Sequence, residues 1–126
     1  MEINQAQTLA EITDAFWRYV AALNANDMDT VTACFWDSEH ALRYGARENL
    51  YGIEAIARFR DSQRGQALRI DVTRVVITAF GTDLGTANCE MLRSDTGAGG
   101  RMSHTWVRVD AGWRIVAAHV SANPAG

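Results

Sequence analysis

The side chains in this sequence best suited to chemistry are Tyr19, Arg43, Glu48, Arg101, Ser103 and His119. Tyr19 recurs with Ile12, Phe16, Val20 and Leu23 at helical spacing, so its ring turns into the fold. A phenol there donates or accepts one hydrogen bond in a dry site; the same spacing suits a core tyrosine bonded to a backbone carbonyl. Arg43, in LRYG, carries the planar fork that grips a carboxylate with two parallel hydrogen bonds. It could equally be a surface arginine paired with Glu48. On a strand, Tyr44 would point away from whatever Arg43 faces.

In GRMSHTWVR, alternation sets Arg101, Ser103, Thr105 and Val107 against Met102, His104, Trp106 and Arg108. The first set is assigned to a pocket, with Arg101 as a second cation and Ser103 as a polar anchor for substrate. His119 shares its strand parity with Trp113 and Ile115, and an imidazole in an apolar pocket can move a proton near neutral pH. A hydrogen-bonded structural histidine fits the same pattern. Glu48 and Glu90 are weaker candidates, since most glutamates are solvated.

Other chemistries lack their residues. The 3 histidines (His40, His104 and His119) are scattered, and HxH, HExxH and CxxC spacings are missing, so no metal is expected. GxGxxG, P-loop and GxSxG patterns are also missing, and no organic cofactor is expected. Against 12 Lys plus Arg stand 15 Asp plus Glu, a formal charge of -3, which disfavours nucleic acid as a partner. No segment approaches the roughly 20 apolar residues of a membrane span. The start, MEINQAQTLAEITD, has neither a basic n-region nor an apolar h-region, so the expectation is a cytoplasmic protein without a signal peptide. Cys34 and Cys89 read as two buried thiols.

The elements that must position these residues follow from periodicity. At 126 residues and 48% hydrophobic, the chain suits one domain over 1–126 with a real core. A first helix is predicted from about Gln7 to Asn24, and a second, short one starts at an N-cap Asn26 or Asp27 and buries Met28, Val31 and Phe35. A short strand is predicted around Ala41 to Gly45, then a helix from about Ile53 to Gln63 burying Ile53, Ile56 and Phe59. Beyond Gly65 the pattern alternates, giving strands over Arg69–Phe80, Leu84–Ser94, Arg101–Val109 and Trp113–Ser121. Gly81 with Asp83, Asp95 with Gly97 to Gly100, and Asp110-Ala111-Gly112 supply turns, which implies an antiparallel meander and an α+β domain. The last strand is apolar on both parities, so a homodimer through the outer sheet face is expected, with Trp106, Val116, Ala118 and Val120 in the interface.

The segments AFWRYVAALNANDMDTV, FWDSEHALRYGARENLYGIEAIARFR and GGRMSHTWVRVDAGWRIVAAHVSA together resemble the AtzH-like family of the nuclear transport factor 2-like (SnoaL-like) superfamily. The resemblance implies a cone-shaped α+β fold, with three N-terminal helices on a curved antiparallel sheet around one pocket. It places Tyr19 of FWRY and Arg43 of RYG at the family's functional positions. Met102 and His104 stand where the family pattern has glutamines. The activity implied is cofactor-independent hydrolysis (deamidation) of a small carboxylated urea or amide, such as dicarboxyurea, in nitrogen catabolism. Tyr19, Arg43 and His119 would be catalytic, and Arg101, Ser103 and Glu48 would bind substrate, with His119 or Glu48 as the base. The relatives work alongside an amidase-signature enzyme, so a non-catalytic accessory subunit of such an enzyme is one alternative. An isomerase or cyclase acting on a ring substrate, as this fold often hosts, is another; it would want a buried carboxylate beside the tyrosine and a larger apolar cavity.

Overall fold

Helix α1 (Ala6–Asn24) begins where the Gln5 carboxamide accepts from the Thr8 backbone N–H at 3.0 Å. Its buried stripe runs through Ile12, Phe16, Tyr19 and Val20. In the computed structural model, which describes residues 1–123, α2 (Met28–Ala33) starts at Asp27, whose carboxylate accepts from the Thr30 N–H. Between them Asn26 adopts φ 52°, and its side chain binds Gln63 O and Gly65 N, tying the α1–α2 corner to the end of the third helix. Among the described residues, no helix is long and apolar enough to cross a membrane.

Helix α3 (Ile53–Ser62) is entered through Gly52 at φ +85°, a conformation that disfavours any side chain. Ile56 is buried as expected, but Ile53 and Phe59 are only half-buried. The second fully buried residue is Arg60, one helical turn beyond Ile56.

The strands are β1 (Leu42–Tyr44), β2 (Asn49–Tyr51), β3 (Ile70–Phe80), β4 (Leu84–Arg93), β5 (Gly99–Val109) and β6 (Gly112–Ala122). They form one sheet in the order β2-β1-β6-β5-β4-β3. The β3–β6 meander is antiparallel, as the turn residues require, but β1 pairs parallel with β6, so the sheet is mixed. The parallel pairing is prepared by the chain leaving α2: Ile115 N donates to Cys34 O and Trp36 N to Ile115 O. The three-residue β2 was not expected; it extends the edge by folding back on β1. The sheet's inner face meets α1, and at Gly85 there is no room for a Cβ against Ile12 and the Thr78 carbonyl.

Two expectations about sheet faces are corrected. On β5 the residues facing the helices are Met102, His104 and Trp106, while Arg101 and Ser103 are exposed on the opposite face. On β6 the register slips: Trp106 pairs with Ile115, but Thr105 pairs with Ala117, leaving Val116 as an extra residue. This β-bulge reverses the alternation beyond it. Ile115 and Ala118 are therefore both buried, and His119 is exposed rather than sharing a face with Ile115. Trp106 and Ala118, expected at a dimer interface, lie in the core instead.

Candidate functional site

Tyr19 projects from the buried stripe of α1 toward β5, where its ring meets the His104 ring edge-on at 4.9 Å and 89°. Its hydroxyl accepts a hydrogen bond from Arg60 Nη2 at 2.6 Å. Arg60 comes from the inward face of α3. Arg43 comes from β1, on the same side of the sheet as its β6 partner Ala118. Both arginines are 6% exposed, and both stack on Phe59, with Cζ atoms 4.9 Å (Arg43) and 5.5 Å (Arg60) from the ring centroid.

Glu48 supplies the cluster's carboxylate. Arg43 Nη1 donates to its Oε1 at 2.7 Å, across the turn between β1 and β2. Gly45 sits inside that turn, and a Cβ there would run into the Glu48 carboxylate and crowd Arg43 Nη1. The glycine of RYG thus makes room for the ion pair.

The electrostatics are unbalanced. Arg43 has Glu48, whereas the hydrogen-bond partner of Arg60 is a hydroxyl, not a carboxylate. Burial pushes the Arg60 guanidinium below its ordinary range; the charge on Arg43 adds to this, and Tyr19 and Glu48 oppose it. The same two cations and complete burial drive His104 down to about 3, burial being the larger cause, so the imidazole is neutral.

Among the described residues, the buried side-chain nitrogens and oxygens without a hydrogen-bond partner are Arg43 Nε, Arg60 Nε, both His104 ring nitrogens and Trp106 Nε1. All belong to this cluster, since the Trp106 ring lies 5.9 Å from His104. Most are donors. Buried donors with no acceptor are costly, and their convergence beside an uncompensated cation is the arrangement an acceptor-rich anion would satisfy.

The structure thus brings Tyr19, Arg43 and Glu48 together and leaves the other candidates elsewhere. Arg101, Ser103 and His119 lie on the outer face of the sheet. Ser103 is the cross-strand neighbour of His119, and Arg101 stands opposite Glu90 and Ser121. His119 packs at 5.8 Å from Tyr44, whose hydroxyl meets that of Tyr51 at 3.1 Å. None of these outer residues touches the Tyr19 cluster, because alternation on β5 and the Val116 bulge on β6 aim them away. Sequence reasoning missed Arg60 and His104. The signals were present: Arg60 stands four residues after Ile56, and His104 lies between Met102 and Trp106 on one strand face. A recess at the C-terminal end of α3 is lined by Arg60 together with Leu23, Met28, Gln63, Leu68 and Ile70.

Comparison with known proteins agrees with this architecture. The AtzH-like family model matches residues 1–125, and the chain belongs to that family. No curated protein matches the sequence. A solved structure of a protein of unknown function from the DUF3225 family of Pectobacterium atrosepticum is 45% identical, with a TM-score of 0.91, covering 96% of this chain and 94% of that one. A cystatin-like fold protein from Burkholderia xenovorans is 38% identical at a TM-score of 0.91, covering 100% of this chain and 99% of its own. A nuclear transport factor 2-like superfamily protein from Salmonella enterica shares the fold at 24% identity, with a TM-score of 0.78 and coverage of 96% and 94%.

Proposed function

We propose that this AtzH-like protein binds and hydrolyses a small carboxylated amide or urea at the Tyr19–Arg43–Arg60 cluster. The observation that carries the reading is the convergence of unpartnered buried donors on Arg43, Arg60 and Trp106, with one guanidinium lacking a carboxylate. The arginines hold the substrate carboxylate, and the fork of each suits a bidentate grip. Arg60 donates to the Tyr19 oxygen, which leaves the phenolic proton free for the substrate carbonyl and for the oxyanion that develops as water adds. Glu48 takes a proton from the attacking water and passes it to the departing nitrogen. A C–O bond forms, the C–N bond breaks, and the new carboxyl group gives its proton to the released ammonia, so the products are ammonium and a second carboxylate.

The two arginines speak against the ring-isomerase alternative, which needs a buried carboxylate beside the tyrosine and a larger apolar cavity. The test is ammonia release by the purified protein from oxamate, malonamate, N-carbamoylglycine and related carboxylated ureas. Arg43→Lys keeps the charge but loses the planar fork, and is expected not to restore activity. A folded protein that binds these anions yet releases no ammonia from any of them would replace hydrolysis with the accessory-subunit reading, acting with an amidase-signature partner.

We also propose that a second copy covers the outer sheet face. Val76, Leu84 and Leu92 are exposed there by 50%, 38% and 43%, Leu84 and Leu92 at opposite ends of β4 and Val76 on the neighbouring edge strand. Of the residues the sequence suggested for that face, Trp106 and Ala118 are in the core and Val120 packs against it.

A further inference from the structure

Phe59 has no role in the steps above, yet it touches both cations of the site. Its half-buried ring has Arg43 Cζ 4.9 Å and Arg60 Cζ 5.5 Å from the centroid. The two guanidinium groups repel each other where water screens little: each arginine is 6% exposed, and the charge on Arg43 acts against that on Arg60. Only Arg43 has a carboxylate, that of Glu48, as its hydrogen-bond partner. The recess at the end of α3 gives Arg60 an alternative to staying in the cluster. A carboxylate at position 59 would hold Arg60 in place, but it would also take up the N–H groups that a ligand needs. An aliphatic side chain would fill the space without attracting either cation. An aromatic face avoids both faults. Its quadrupole attracts a cation, while a guanidinium donates in its own plane and keeps those hydrogens for another partner. The Nε atoms of Arg43 and Arg60 are indeed both unpartnered.

We propose that Phe59 is a positioning residue of this site, its π face standing in for a second carboxylate and holding the like-charged Arg43 and Arg60 together with their donors open to an anion. The inference rests on the carboxylate-binding reading above and adds what keeps the grip assembled while the site is empty. Phe59 acts through the arginines and needs no contact with the ligand.

The test replaces Phe59 with 3,5-difluoro- and 3,4,5-trifluorophenylalanine, which keep the shape of the ring while draining its π face, and with leucine, which has no face. Calorimetric titration with malonate reads the grip. Affinity is expected to fall stepwise with fluorine number, and by about tenfold or more in Phe59→Leu, as two desolvated cation–π contacts are lost. A second readout needs no ligand: the Arg60 Nε–H, buried in the wild type, should exchange with solvent faster in the same order. Melting curves check that each variant folds, and the fluorinated pair decides the question should the leucine variant not fold. Affinity and exchange that ignore fluorination, or a loss confined to Phe59→Leu, would make Phe59 a space-filling residue and leave the anion site standing. Failure of the wild-type protein to bind malonate at millimolar concentration would instead remove the carboxylate site, and the positioning role with it.

Discussion

Arg60 donates a 2.6 Å hydrogen bond to the hydroxyl of Tyr19, and the two residues meet in the interior from helices separated by α2, β1 and β2 in the chain. The bond orients the phenol: its oxygen faces the cation, and its proton is free to point into the site. Donation by a charged group also polarises the hydroxyl and strengthens it as a donor.

Tyr19→Phe removes this acceptor and leaves the ring packing against Phe35 and His104 intact. A buried guanidinium hydrogen is then unpartnered, so denaturant titration should show a loss of about 1–3 kcal/mol. Turnover should fall by about 10²-fold or more, the usual effect of removing a transition-state donor. A variant that is less stable but fully active would make the phenol a structural group only.

Gly45→Ala tests the arrangement from the other side. The added methyl displaces the Glu48 carboxylate from Arg43, whose side chain is 7% exposed. Stranding a buried charge costs about 3–5 kcal/mol, and the lower end is expected because Glu48 itself is 25% exposed and can swing outward. Saturating malonate should recover much of the loss by standing in for Glu48. Thermal melts with and without malonate measure both effects, and a variant that melts like the wild type would mean the ion pair contributes little.

Stability should depend on pH through His104. Its folded pKa, near 3, lies below the ordinary 6.5 of the unfolded chain. As pH falls below 6.5 the unfolded state takes up a proton that the folded state refuses until about pH 3. The protein is therefore fully stabilised above that window and weakens within it. Linkage gives a loss of about 2 kcal/mol between pH 6.5 and 5, and His104→Gln should abolish it. Glu11, Asp27 and Asp95 are held below their ordinary carboxylate values, so their contribution is lost only at lower pH. Urea titrations between about pH 5 and 7 on both proteins isolate the effect, and equal slopes would show that the folded imidazole takes up its proton in the ordinary range.

For the dimer, light scattering at micromolar concentration should give twice the chain mass, with an interface on the scale of about 1,600 Å². Val76→Lys places a charge on the outer face of the edge strand β3 and should yield monomers that keep the ligand affinity of the site on the opposite face. A wild-type monomer at every concentration would leave the outer face without a partner.

Helix periodicity and turn chemistry made the three helices and the β3–β6 meander legible in the sequence, and Tyr19 and Arg43 were legible as inward-facing candidates. His119 was misplaced because a bulge inserts one residue without any mark in composition: Val116 looks like every other valine in a strand. Arg101 and Ser103 were assigned inward for their chemistry, against the simpler alternation that buries Met102 and Trp106. Arg60 was overlooked because RFRDSQR reads as a solvated charge run, although its helical position relative to Ile56 placed it inside. The parallel contact of β1 with β6 joins distant parts of the chain, and local sequence patterns hold no record of it.

That parallel contact also sets an order of assembly. Helices and neighbouring hairpins close over short loops, whereas β1 pairs with β6, the last strand of the sheet in chain order, across a stretch that contains β2, α3 and β3 to β5. Long loops close late because their entropy must be met before their contacts form. Arg43 is carried by β1, so its guanidinium remains hydrated through most of folding and is enclosed near the end. A strand delivered in this way spares the half-made protein from burying a bare charge, and makes the binding site one of the final parts of the molecule to exist.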